Sequence, residues 1–183
     1  MIEQRQFRLP DGQQIPLYSL NTLIVGSGAA GLACLEHTFR FLQERGVENP
    51  LDKVALATNF LGGGTSNNSG SDKQTFYRLN TLGGAADCPL DFAKTLTAGG
   101  CMHGDIALIE GENSARCFYH LVENGVPFPH TPLGSFVGYK TDHDPAQRAT
   151  SAGPWTSRFM VQKSLAQLER YGMRIFNNHE LVS

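Results

Sequence analysis

The sequence predicts an α/β protein organised around a short parallel sheet, and three adjoining features predict it. Residues 22–25 (Thr-Leu-Ile-Val) form a β-branched, apolar run that passes at once into Gly26-Ser27-Gly28-Ala29-Ala30-Gly31. Leu32, Leu35, Phe39 and Leu42 then recur at three- and four-residue spacing, which puts one apolar stripe on a helix ending near Gly46. Residues 54–57 supply a second apolar strand, closing a strand–helix–strand unit whose crossover is right-handed. The class expected is therefore a Rossmann-like parallel sheet carrying a βαβ dinucleotide-binding unit, with an inserted helical segment and an incomplete C-terminal end.

The other elements follow in chain order. Residues 7–18 alternate around Pro10-Asp11-Gly12, the signature of a hairpin that leads into the first core strand and packs on a sheet edge. Between Asn59 and Gly84 the composition turns to Gly, Ser, Thr and Asn without periodicity, which marks a functional loop rather than a linker. Asp87 and Pro89 stand in cap and first-turn positions of a helix through Leu96, and a second helix is expected from about Asp105 to Asn124, stopped by Gly125. Residues 126–144, rich in Pro, Gly and His, read as an irregular excursion. A last helix over 156–171 carries Val161, Leu165 and Leu168 on one face, stops at Gly172, and passes into a third parallel strand at 173–176. The expected organisation is a βαβ unit with its loop (1–84), an inserted helical and irregular segment (85–150), and a third helix and strand returning to the first domain (151–183).

Composition narrows the function classes. The 183 residues carry a formal net charge of -2, which gives no basic field to gather nucleic acid or an anionic membrane surface. The most apolar stretch, 23–35, is broken by three glycines and is too short for the about 20 apolar residues that a membrane-spanning helix needs. Neither nucleic acid binding nor direct membrane insertion is expected. The polar start of the chain lacks a signal-peptide pattern, so a cytoplasmic address is expected. The irregularly spaced Cys34, Cys88, Cys101 and Cys117 read as reduced thiols. Cys101 with His103 and Cys117 with His120 lack the spacing of common metal sites, and no metal is expected.

The chemistry concentrates at Gly26-x-Gly28-x-x-Gly31. The first glycine permits a tight turn, the second lets a pyrophosphate reach the backbone, and the third lets helix and strand press together. Amides at the start of the helix, aided by its dipole, face the negative charge, so Ser27, Ala29 and Ala30 join the three glycines as binding residues. The second strand ends in Thr58-Asn59 where an acid usually receives the ribose hydroxyls, and a hydroxyl or amide there bonds without charge assistance. Glu48 and Asp52 precede the strand, at its wrong end.

The run Gly62-Gly63-Gly64-Thr65-Ser66-Asn67-Asn68-Ser69-Gly70 resembles the flavin-contacting segment of the fumarate reductase and succinate dehydrogenase flavoprotein family. Glu123-Asn124-Gly125-Val126-Pro127-Phe128 is similar to that family's Gly-(Leu/Val)-Pro-Phe stretch, and residues 151–161 resemble the segment before its third Rossmann helix. The resemblance implies FAD as cofactor. Gly64 stands where membrane-bound members carry a flavin-linked histidine, so noncovalent binding is implied. It further implies that Thr65, Ser66 and Asn68 bond the isoalloxazine or the pyrophosphate, with Gly63, Gly64, Ser69 and Gly70 in the same loop. The backbone of Glu180 and Leu181 matches the place where adenine is contacted, and Phe128 that of the substrate pocket.

The implied chemistry is oxidation or reduction of a carbon–carbon bond in a small dicarboxylate-like carboxylic acid, with an iron–sulfur or haem electron-transfer protein as partner. The same loop plan occurs in aspartate oxidase and adenylylsulfate reductase flavoproteins. The family's catalytic acids, arginines and histidines match no position here, so no catalytic residue is expected, and His103, His130 and His143 read as solvated loop histidines. Two other readings compete: a truncated or split nucleotide-binding module without its own chemistry, and an NAD(P)-linked Rossmann enzyme, in which the loop after Asn59 has no role.

Overall fold

The computed structural model describes residues 2–71, 74–81, 86–144 and 146–182. The expected domain boundary at 84/85 lies outside the described residues, as does the terminal Ser183. The chain forms two compact units, one of residues 1–68 with 164–183 and the other of residues 69–163.

In the first unit, β1 (Glu3–Arg8) and β2 (Gln14–Ser19) pair antiparallel across Pro10-Asp11-Gly12, where Gly12 takes φ +90° and the Asp11 carboxylate accepts the Gln13 amide at 2.9 Å. The predicted hairpin is thus present. Its Tyr18 ring packs 4.8 Å from Phe176. β3 (Thr22–Val25), β4 (Val54–Thr58) and β7 (Ile175–Asn177) form a parallel sheet with β4 in the middle. A strand with neighbours on both sides must be apolar on both faces, and Val54, Ala55 and Leu56 are fully buried.

Helix α1 (Ala29–Glu44) connects β3 to β4 and buries Leu32, Leu35 and Phe39, the stripe read from the sequence. It stops where Gly46 adopts φ +67° and the amides of Gly46 and Val47 turn back to the carbonyls of Gln43 and Leu42. Helix α5 (Thr156–Tyr171) starts in the second unit and ends in the first, with Leu168 fully buried. The third strand was expected at 173–176 and begins two residues later. The amide of Met173 bonds the Leu168 carbonyl to close α5, so the chain extends only beyond it. The strand–helix–strand unit and the third parallel strand establish the predicted α/β class.

In the second unit, α3 (Pro89–Thr97) and α4 (Gly104–Glu123) pack together, and a Cβ at Gly111 would stand 3.0 Å from the Pro89 carbonyl oxygen. A two-stranded antiparallel pair, β5 (Phe76–Tyr77) with β6 (Ala149–Thr150), was not foreseen because two residues carry no readable alternation. Phe118, Leu121, Val126 and Phe128 make a buried hydrophobic core cluster.

The expectation that Asp87 caps α3 is corrected. Cys88 is the N-cap, with Pro89 in the first turn as predicted, and Asp87 is drawn away by a buried cation. Its carboxylate receives Arg148 Nη2 at 2.6 Å and Nε at 2.9 Å, while Arg148 Nη1 donates to Thr95 Oγ1 at 2.8 Å and lies 3.8 Å from Asp144. Burial alone would raise the Asp87 carboxyl, but the Arg148 hydrogen bonds and charge and the Asn80 amide hold it below the usual carboxylate range. Desolvation, with the Asp144 carboxylate beside it, pushes the Tyr77 phenol up to about 12. Removing one member of a buried ion pair strands the other, a loss of about 3–5 kcal/mol. Arg148→Ala is therefore expected to destabilise the protein by that amount in chemical denaturation. A loss below about 1 kcal/mol would show that Asp87 and Asp144 find solvent instead.

Candidate functional site

The site is built where β3 runs into α1. Gly26 takes φ +99°, a backbone state that side chains disfavour, and its amide bonds the Ala57 carbonyl at 2.8 Å, extending the β3–β4 ladder by one residue. A Cβ at Gly31 would lie 2.0 Å from the Gly26 carbonyl oxygen, so that glycine lets the first turn of α1 sit against the strand end. Gly28 differs from both. Its φ is -71°, and the nearest atom to an added Cβ is Ser66 Oγ at 3.4 Å. Neither conformation nor packing within the protein requires glycine at that position.

Gly28 is also the N-cap of α1 and provides no side-chain cap, and the first turn holds no acidic residue. The first-turn amides of any α-helix lack intrahelical acceptors, and the helix dipole adds partial positive charge there. This corner fits an anion that approaches bare backbone.

The loop after β4 folds back onto the turn. The short helix α2 (Thr65–Asn68) is held by its own carboxamides: Asn67 Nδ2 donates to the Gly62 carbonyl at 3.0 Å, and Asn68 Nδ2 to the Gly62 and Gly64 carbonyls at 2.7 and 3.0 Å. Ser66 Oγ accepts the amide of Ala29 at 3.2 Å. Thr65 is exposed. Two further glycines of the loop have packing reasons of their own. A Cβ at Gly63 would reach the Phe60 ring at 2.4 Å, and one at Gly70 the Trp155 ring at 2.5 Å, whereas nothing lies within 4 Å of Gly64. Ser69 and Gly70 belong to the second unit, where Ser69 Oγ accepts Gln74 Nε2 at 3.3 Å and lies 3.4 Å from Ser157 Oγ.

Ser27 and Thr58, both expected to face a ligand, are buried and bond each other through their hydroxyls at 3.0 Å. That link ties the glycine turn to the end of β4 and engages the hydroxyl expected for a ribose. Beyond the sheet, the His179 amide bonds the Thr58 carbonyl at 3.0 Å and the Leu61 amide bonds Asn177 Oδ1 at 2.8 Å, so the ends of β4 and β7 stay joined. A groove of about 710 Å³ opens at these strand ends, with Gly26, Thr58, Asn59, Glu180 and Leu181 along it. Five of the predicted residues from three separated stretches of sequence thus meet there. Its apolar lining of Tyr18, Leu23, Val25 and Phe176 was not singled out in the sequence, although Leu23 and Val25 stand at alternate positions of one strand.

His103, His130 and His143 are exposed residues of the second unit. All four cysteines are free thiols, and among the described residues no group of three or more His, Cys, Asp or Glu is arranged to hold a metal. No helix among the described residues is long and apolar enough to cross a membrane.

The fold and the glycine corner together define an α/β chain with a Rossmann-like parallel sheet. No family model matches the sequence, and no curated protein matches it. Solved structures match it in shape. Mycobacterium smegmatis Sdh1 in complex with UQ1 aligns with a TM-score of 0.65 and 16% identity, covering 85% of this chain and 27% of that one. A point mutant of E. coli quinol fumarate reductase FrdA aligns with a TM-score of 0.65 and 19% identity, over 85% of this chain and 25% of that one. A 3-ketosteroid dehydrogenase from Rhodococcus jostii RHA1, in complex with 4-androstene-3,17-dione, gives 0.64 and 17%, over 86% of this chain and 37% of that one. The chain therefore shares its fold with part of succinate dehydrogenase and fumarate reductase flavoproteins, as the sequence resemblance implied; it spans about a quarter of their length, and 37% of the steroid dehydrogenase.

The two helix-start glycines separate by experiment. Gly31→Ala is expected to disrupt folding of the first unit, seen as loss of the cooperative melt, because its Cβ has no room beside Gly26. Gly28→Ala is expected to leave the melting temperature within a few degrees of the parent, since its Cβ makes ordinary contact only. Equal damage from both would show that the protein's own packing demands both glycines.

Proposed function

We propose that this chain is the FAD-binding portion of a flavoprotein oxidoreductase and that it holds the ADP half of the cofactor noncovalently at the β3–α1 corner. The observation that carries the reading is Gly28, a glycine at a helix start that nothing in the protein's own conformation or packing requires. A diphosphate approaching the α1 amides does require it, since a side chain there would stand in its path. The groove at the strand ends supports the adjoining nucleoside: Asn59 lies along it to bond ribose hydroxyls, and the backbone of Glu180 and Leu181 lies along it to contact adenine. Gly64 has open space around it and no nucleophilic side chain, which supports a noncovalent flavin.

When bound, FAD supplies hydride acceptance and donation; this chain's residues supply placement. The α1 amides hold the diphosphate, Thr65 donates from α2, and the Ser27–Thr58 bond fixes the turn against the sheet. The likeness to fumarate reductase and succinate dehydrogenase chains supports redox chemistry at a carbon–carbon bond of a small dicarboxylate-like acid. Electron exchange with an iron–sulfur or haem protein belongs to the same reading. Aspartate oxidase-like and adenylylsulfate reductase-like reactions use the same loop plan.

The visible spectrum of the purified protein tests the reading. Yellow protein that bleaches with dithionite, or colourless protein that takes up FAD, is expected; colourless protein that cannot be reconstituted would leave a nucleotide-binding module without redox chemistry. Gly28→Val should abolish flavin retention, and normal flavin content in that variant would remove the turn from the site. Thr65→Ala should weaken FAD binding by about 1 kcal/mol, the net worth of one hydrogen bond, and unchanged affinity would mark Thr65 as a surface residue of the loop.

A further inference from the structure

The first amide of α1, that of Ala29, already has an acceptor. Ser66 Oγ takes the Ala29 N–H at 3.2 Å and is also the atom nearest to where a Cβ on Gly28 would lie, at 3.4 Å. One hydroxyl therefore covers both the donor and the bare backbone of the corner. It is a neutral acceptor held at the long end of hydrogen-bond distance, whereas a phosphate oxygen is charged and binds such a donor roughly twice as strongly.

The support beneath Ser66 is independent of that bond. Asn67 and Asn68 fasten α2 to the Gly62 and Gly64 carbonyls, so the turn stays folded whether or not Ser66 touches α1. Rotation about the Cα–Cβ bond of Ser66 would carry the hydroxyl away from Ala29 and uncover the corner without unfolding the loop. Resting on the reading that this corner binds a diphosphate, we propose that the Ser66 hydroxyl is a displaceable stand-in for a phosphate oxygen. In the ligand-free protein it satisfies the Ala29 amide, and an incoming diphosphate evicts it. The loop that follows β4 thereby weakens binding of weak anions and yields to a charged diphosphate.

The sign of one substitution tests this. Ser66→Ala leaves the Ala29 amide without its protein acceptor, so a diphosphate no longer competes with the hydroxyl for it. In calorimetric titration of the purified protein, Ser66→Ala should bind ADP about five-fold more tightly than the parent, the equivalent of one net hydrogen bond. Adenosine, which has no phosphate, should bind both proteins alike. A thermal melt checks that the variant folds, and Ser66→Gly, which also removes the hydroxyl, should change ADP affinity in the same direction. Unchanged or weaker ADP binding by a folded variant would overturn the stand-in and make Ser66 a bystander or a direct ligand. An equal gain for adenosine would also overturn it, because the effect would then not lie at the phosphate. If neither ADP nor FAD bound parent or variant, the diphosphate reading itself would fall, an outcome distinct from a parent that binds ADP and a variant that binds it no better.

Discussion

The contact on which the first unit depends is the approach of α1 to the end of β3, where the Cα of Gly31 faces the carbonyl of Gly26 with no room for a Cβ between them. That approach sets the start of α1 against the strand and brings Leu32, Leu35 and Phe39 down beside the buried β4. Burying each of those side chains contributes about 1.5–3 kcal/mol, so the turn is held by the core behind it. The first-turn amides, which the helix itself leaves without acceptors, are thus a by-product of packing that the protein can direct at a ligand.

Two hydroxyl bonds from the loop regions complete the corner. Ser27 to Thr58 lies beneath it and is buried, which makes it strong in its low-dielectric surroundings and a fixed part of the scaffold. Ser66 to Ala29 lies above it, part-buried, on a four-residue helix held by two asparagines. The contrast separates what shapes the turn from what can be exchanged at it. The Ser27 bond also ties the Thr58 hydroxyl into the scaffold at the edge of the groove that Asn59 and Glu180 line.

The second unit is organised by different physics. A small fold of helices and two-residue strands has little ladder to define it, and Arg148 takes over that task by joining Asp87 before α3, Thr95 within it and Asp144 in the irregular excursion. Arg78 does similar work nearby, stacking 4.5 Å from the Phe118 ring centroid and donating to the carbonyls of Leu79 and Phe136. Buried cations of this kind add little net stability over an apolar core, but they tolerate few alternative arrangements of the loops they join.

The sequence by itself determined the elements whose causes are local. Helix α1 is legible in the spacing of Leu32, Leu35 and Phe39, the hairpin in Pro10-Asp11-Gly12, and α5 in its apolar face and closing glycine, because each rests on periodicity or turn chemistry within a few residues. The three-glycine spacing marked the corner for the same reason. Only the tertiary structure decided which glycines serve packing and which stay bare: Gly63 and Gly70 answer to the rings of Phe60 and Trp155, and the second of these is 85 residues away in the chain. It likewise decided that Asp87 pairs with Arg148 instead of capping α3, and that Thr58 turns to Ser27. A side chain's partner depends on which distant backbone arrives beside it, and pattern along the chain carries no record of that.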